Sequence, residues 1–467
     1  MSSEVFSESL AYPKMKQRAI SSRSFRTKIS PSNAQSFTMG QTINLDLPSN
    51  LTGQYYNFNQ MYLKFKVTNG NGAGAVKLDR GGAGALIRRI QIQTAGAQIY
   101  DCDKWNVLYT ALLDSEASNE WKGSVGNILT GTSGGGLGAE EISHTATANA
   151  NERTFCVPMV LNPLANTTPH RLIPAFSLSS IQFRITLDSV ANALNVANAT
   201  SDAQVVLSDV EMVCLMTELS PSAQAQVDSM TGGVYNILAN SYMNSSTTMG
   251  NVSQVTANLG FSVSSLERIL LVQRKTESFA SDRYTIGNRA KNGLTEYQYL
   301  INSESYPQRP IKVENKGAEA CAELLIANHS LTDFRAGNSL QNNNISAGAG
   351  AHGITQLANA FNNPSQFPHA YSTDGDGTTA GDIDATAVVG NIGSALYGCE
   401  FETGLSDGKS STIYSGVSTL ASNVQFLGKY ISAGAGASEA ATLDFFAQYS
   451  VLLSLDMRGG GVFSVSV

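Results

Sequence analysis

Apolar and polar residues trade places at every second position over short stretches of this chain, and that alternation narrows the fold most. Leu63, Phe65 and Val67 alternate with Lys64 and Lys66, and Ile181, Phe183, Ile185 and Leu187 alternate with Gln182, Arg184, Thr186 and Asp188. Ile43, Leu45 and Leu47 do the same before Pro48, as do Ile90 and Ile92 around Gln91. A period of two is the mark of a strand buried on one face and wet on the other. Polar, glycine-rich stretches such as Asn69–Val76 separate the bursts and supply turns. One segment breaks the rhythm: Trp105, Leu108, Tyr109, Leu112 and Leu113 recur at helical spacing. The expected class is therefore all-β with a few short inserted helices.

The bursts fall into two sets. Residues 1–30 read as an N-terminal arm, and 31–217 as a first β-sandwich closing on Val205–Met216. Residues 218–235 read as a partly helical linker, because Glu218–Met230 is polar and holds Pro221. Residues 236–467 read as a second sandwich. Its expected strands are Val255–Val263, Arg268–Gln273, Arg309–Val313, Phe401–Glu402, Asn423–Tyr430, Phe445–Ser454 and Gly461–Val467. Residues 124–151 and 331–396 read as long external loops, the second with partial helix at Gly353–Phe361. Two halves of similar size and texture point to duplication of a sandwich.

Charged residues make up 14% of the chain, well under the ~25% usual for soluble domains. Such depletion suits a surface largely covered by other copies, since interface cores lose charge. The formal net charge of −7 argues against a protein that coats nucleic acid over its whole surface. Against that background Lys14, Lys16, Arg18, Arg23, Arg26 and Lys28 crowd the N-terminus, opposed only by Glu4 and Glu8. They form either a solvated tail or an arm docking on an inner partner: a neighbouring subunit, a minor protein, an acidic membrane face or genome. Five cysteines without a C-x-x-C pair point to a reducing compartment. The N-terminus lacks the apolar core of a signal peptide, so synthesis in a cytoplasm is expected.

No catalytic, cofactor or metal residue stands out. His144, His170, His329, His352 and His369 fall in no H-x-x-x-H or H-E-x-x-H spacing. The glycine runs at 70–76, 81–86 and 131–138 lack the Gly-Lys-Ser/Thr end of a phosphate loop. Asp374, Asp376, Asp382 and Asp384 in the acidic loop 372–386 sit at calcium-like intervals, but the loop lacks the closing Glu of an EF-hand, which favours a hydrophilic surface loop. No G-x-S-x-G elbow is present. Trp105, Trp121 and the Tyr55–Tyr62 run read as packing or interface aromatics.

Three stretches carry a resemblance: Ser264–Arg274 running into Arg283–Ile311, then Gly398–Tyr430, then Leu443–Val467. With Phe155–Asp188 in the first half, their order resembles the double jelly-roll major capsid proteins of polinton-like viruses, adintoviruses and virophages. The segments Tyr306–Ile311 and Asp444–Tyr449 carry most of it. The resemblance implies two tandem eight-stranded jelly rolls and a homotrimer of pseudo-hexagonal outline. Such capsomers would tile an icosahedral shell around a DNA genome, with neighbouring capsomers, penton and minor capsid proteins as partners and the virion as location. It implies no enzyme, and it makes residues 124–151 and 331–396 candidates for outer towers. Another viral structural protein (minor capsid, penton, spike or fibre) is the alternative, and a carbohydrate-binding or hydrolytic sandwich is a weaker one.

Overall fold

The computed structural model describes residues 22–456 and 462–466 apart from breaks, the widest at 133–140, 144–150, 276–285, 332–395, 402–415 and 433–439. The first half runs through β1 (Ser22–Ile29), β2 (Ser36–Thr38), β3 (Thr42–Leu47), β4 (Gln54–Asn69), β5 (Val76–Leu78), β6 (Ile87–Thr94) and β7 (Ala97–Cys102). Helices α1 (Trp105–Glu116), α2 (Asn119–Gly123) and α3 (Val125–Thr130) follow. Then come β8 (Glu141–Ile142), β9 (Glu152–Pro158), β10 (Ile173–Pro174), β11 (Ile181–Leu187), helix α4 (Val190–Ala193), β12 (Leu194–Val196) and β13 (Val205–Leu219). One sheet has the order β1-β13-β4, with β9 and β10 both pairing β4, a second has the order β3-β11-β6-β7, and a small third has the order β12-β5-β8.

Helix α5 (Pro221–Thr231) joins the halves. Ser220 caps it by accepting from the Ala223 amide, Pro221 opens it, and Gly232 closes it at φ +61°. These are the signals that start and stop a helix. The second half comprises β14 (Val234–Met249), β15 (Gln254–Leu259), β16 (Leu266–Lys275), β17 (Leu294–Ile301), β18 (Glu304–Lys312), helix α6 (Ala318–Ala327), β19 (Tyr397–Glu400), β20 (Val424–Tyr430), β21 (Ala441–Asp456) and β22 (Val462–Ser466). Its sheets have the orders β14-β21-β16-β19 and β15-β20-β17-β18. Set beside the first half, β1, β3, β4, β6, β7, β9, β11 and β13 take the places of β14 through β21, one for one. All these pairings are antiparallel. The duplication expected from texture is present in the winding.

Alternation explains each core. Leu63, Phe65 and Val67 are buried, whereas Lys64 and Lys66 reach the surface and pair with Glu211 and Glu152. Opposite them, Phe183 and Ile185 of β11 oppose Ile92 and Ile90 of β6 in register. The second core is aromatic: Tyr299, Phe426 and Phe445 pack in sequence as tilted rings, with centroids 5.6 and 5.0 Å apart. The Tyr297 hydroxyl donates to the Gly398 carbonyl at 2.8 Å, so its one polar atom is satisfied where it is buried.

Several expectations are corrected. The arm does not extend to residue 30, because Ser22–Ile29 is a strand zipped along β13. Arg23, Arg26 and Lys28 therefore belong to a sheet, while Lys14, Lys16 and Arg18 lie outside the described residues. Residues 124–151 are not one external loop, since α3 and β8 lie within them and Thr130, Thr132 and Ile142 are buried. The glycine run 81–86 does supply a turn, a 3-10 one that is buried; a Cβ on Gly84 would stand 2.4 Å from the Tyr109 ring. Phe401–Glu402 is displaced to Tyr397–Glu400. His329 follows helix α6. The loop 331–396, its partial helix at 353–361 and the acidic piece 372–386 lie, apart from end residues Leu331 and Leu396, outside the described residues. Replacing Phe426 by alanine empties the second core between Tyr299 and Phe445. That should cost about 3–5 kcal/mol in urea unfolding, and a change near zero would contradict this packing.

Candidate functional site

Strands β16 and β21 are buried on both faces of their sheet, one on the sandwich core and the other toward the first half. Asp444 on β21 has no exposed surface. Lys104, the residue preceding α1, donates to Asp444 Oδ1 at 2.5 Å and to Ser246 at 2.9 Å. Arg274 on β16 reaches Asp444 Oδ2 at 2.6 Å. Burial alone would raise the Asp444 carboxyl, but Arg274 and Lys104 outweigh it and hold the group below its ordinary value.

Two further contacts close the seam. Asp114 at the end of α1 is buried against Lys122 and Arg289, and Arg289 comes from the other half. Arg268 on β16 donates to Gln448 at 2.6 Å, to the Ala327 carbonyl at 3.0 Å and to the Tyr242 hydroxyl at 3.2 Å. Glu116 of α1 stands 3.7 Å from the same guanidinium. Backbone joins backbone as well: the Thr168 amide donates to Leu238, and the Asn240 amide to Asn166, each at 2.9 Å. That contact adds a short rung to the open edge of β14.

Among the described residues, the matching face of the first half has no such cover. On β1, β4 and β13 the pairs Arg23–Glu218, Lys28–Glu211 and Lys64–Glu211 stand 2.6 to 3.1 Å apart at the surface. Elsewhere His170 lies in a polar hollow with Asn57, Asn59, Gln60 and Arg171, and an apolar groove of about 450 Å³ runs between Leu113, Trp121 and Val160. Trp105 is fully buried and stacks on Tyr109, with centroids 4.8 Å apart. Among the described residues no group of three or more His, Cys, Asp or Glu could hold a metal ion, and no helix is long and apolar enough to cross a membrane. His329 stands 3.7 Å from Glu400. His144, His352 and His369 lie outside the described residues. All five cysteines are unpaired, and burial pushes the Cys102 and Cys214 thiols up to about 12, which leaves them protonated and inert.

Sequence inspection passed over the seam residues, although a signal existed. Arg268 follows Glu267 inside the otherwise apolar Leu266–Val272, and Asp444 stands between Leu443 and Phe445. An ionisable residue inside a strand apolar on both faces must meet a partner once the strand is covered.

No protein-family model and no curated protein sequence matches the chain. Solved structures do match, over nearly the full length. The VP54 protein of PBCV-1, fitted into a reconstruction of the virophage Sputnik, has a TM-score of 0.57 at 10% identity, covering 98% of this chain and 99% of its own. The Faustovirus major capsid protein gives 0.58 at 8%, covering 95% and 92%. The mavirus major capsid protein gives 0.51 at 11%, covering 99% and 95%. The fold is a double jelly roll. In this double jelly roll the seam between the two halves buries charge.

The sign of its pH dependence follows from Asp444. Because its folded value is depressed below 3.8, its stabilisation is complete above that pH and is lost as pH falls through the folded value. Asp444→Asn should cost about 3–5 kcal/mol at neutral pH by leaving Lys104 and Arg274 without their counter-charge. It should also flatten the acid limb of a pH-stability profile, and an unaltered profile would contradict this role.

Proposed function

We propose that this chain is the major capsid protein of an icosahedral DNA virus and acts as a homotrimer. The observation that carries the reading is the pair of identically wound barrels locked side by side, in a chain matched end to end by major capsid proteins. A sandwich buries its core internally, so its flanks stay free for neighbours. Two barrels in fixed relation let three copies close a ring of six similar units, and a closed ring limits further growth. Surrounding capsomers, penton proteins and minor capsid proteins are the partners of such a ring, and the virion is its location. Lys14, Lys16 and Arg18, which precede β1, are assigned to an inner partner: a minor protein, a membrane face or the genome. The role is structural and not catalytic.

Light scattering should give a stable particle of three times the 49.5 kDa chain mass. Negative-stain images should show pseudo-hexagonal outlines. A monodisperse monomer at micromolar concentration would overturn the proposal.

A further inference from the structure

The two halves differ in one respect that their shared winding does not explain. Strands β1 and β14 hold the same place, each pairing on one side with the last long strand of its half. The open edge of β14 is capped within the chain, where Thr167 bridges Ala239 with a hydrogen bond on either side. Ala239 lies five residues after the start of its strand, and the residue at that place in β1 is Thr27. Around Thr27 no described strand pairs with the outer edge, and Arg23, Ser24, Arg26 and Lys28 are exposed.

An open edge displays a row of backbone donors and acceptors that a second chain can extend. Another open edge, β18, carries Pro307 and Pro310, which remove two amides from such pairing. Strand β1 has no proline and keeps every amide. The geometry points to the edge of β1 as the docking edge for the second half of a neighbouring copy of this chain, repeating between copies the rung that Asn166–Thr168 forms on β14 within one.

Charge selects the occupant. Residues 234–467 hold 19 Asp and Glu against 13 Lys and Arg, so the second half is acidic. Three of the exposed side chains of β1 are basic, Arg23 and Lys28 paired with Glu218 and Glu211 and Arg26 exposed beside them. Opposite fields favour this pairing and disfavour a first half meeting another first half. A ring in which every second half caps the next first half satisfies every β1 edge at once. The inference rests on the homotrimer reading and goes beyond it by naming the mating strand.

Hydrogen exchange on the full-length protein, after its mass is fixed by light scattering, separates the two. In the trimer, the amides of Arg23–Lys28 that face away from β13 should exchange about 100-fold or more slowly than in an unstructured peptide. A trimer in which they exchange at the unstructured rate overturns the docking edge and leaves the trimer standing. A monomer overturns both. Arg26→Glu, at a side chain pointing to solvent, should raise the concentration of half-association about tenfold. Its melting temperature as a dissociated chain should stay unchanged. Undiminished association of this variant overturns the choice of the acidic second half as occupant.

Discussion

Asp444 takes its compensating charge from both sides of the seam, Arg274 from its own sheet and Lys104 from the other barrel. A buried carboxylate tolerates few arrangements, because each ångström of displacement exposes an uncompensated charge to a medium that solvates it poorly. Apolar contact alone would let the barrels slide. The ion cluster, together with the backbone rung at Leu238–Asn240, confines them to one relation. Any assembly built by repeating this chain inherits its angles from that contact.

Specificity here has a cost in solvation that the rest of the fold offsets. Asp114 with Lys122 and Arg289, and Arg268 beside Gln448, place several ionisable groups where water does not reach well. The surrounding cores are large: aromatic and branched residues line the inner faces of all the long strands. Two sandwiches of this size can carry a polar seam that a smaller domain could not. The faces left outside remain polar and laddered with surface pairs, each worth little by itself, so they stay soluble until something covers them.

Much of the architecture was legible in one dimension. Period-two runs located β3, β6, β11 and the inner part of β4, since burial on one face leaves an alternating trace. Helix α1 was legible for the same reason at a different period. Strand β14 was missed because its second half, Ser241–Met249, is rich in Ser, Thr and Asn, and helix α6 because its short run shows no contrast between faces. The basic residues of β1 read as a tail since nothing in their spacing shows the partner strand β13, which lies some 190 residues away.

The amino-acid sequence by itself determined the class, the duplication and the absence of recognisable catalytic spacing, because these depend on local periodicity and residue chemistry. Only the tertiary structure decided which charges are buried, that Arg289 reaches Asp114 across the seam, and that one first strand is capped while its counterpart is open. Those outcomes depend on contacts between residues distant in the chain, and linear spacing carries no record of which distant neighbour a side chain will meet.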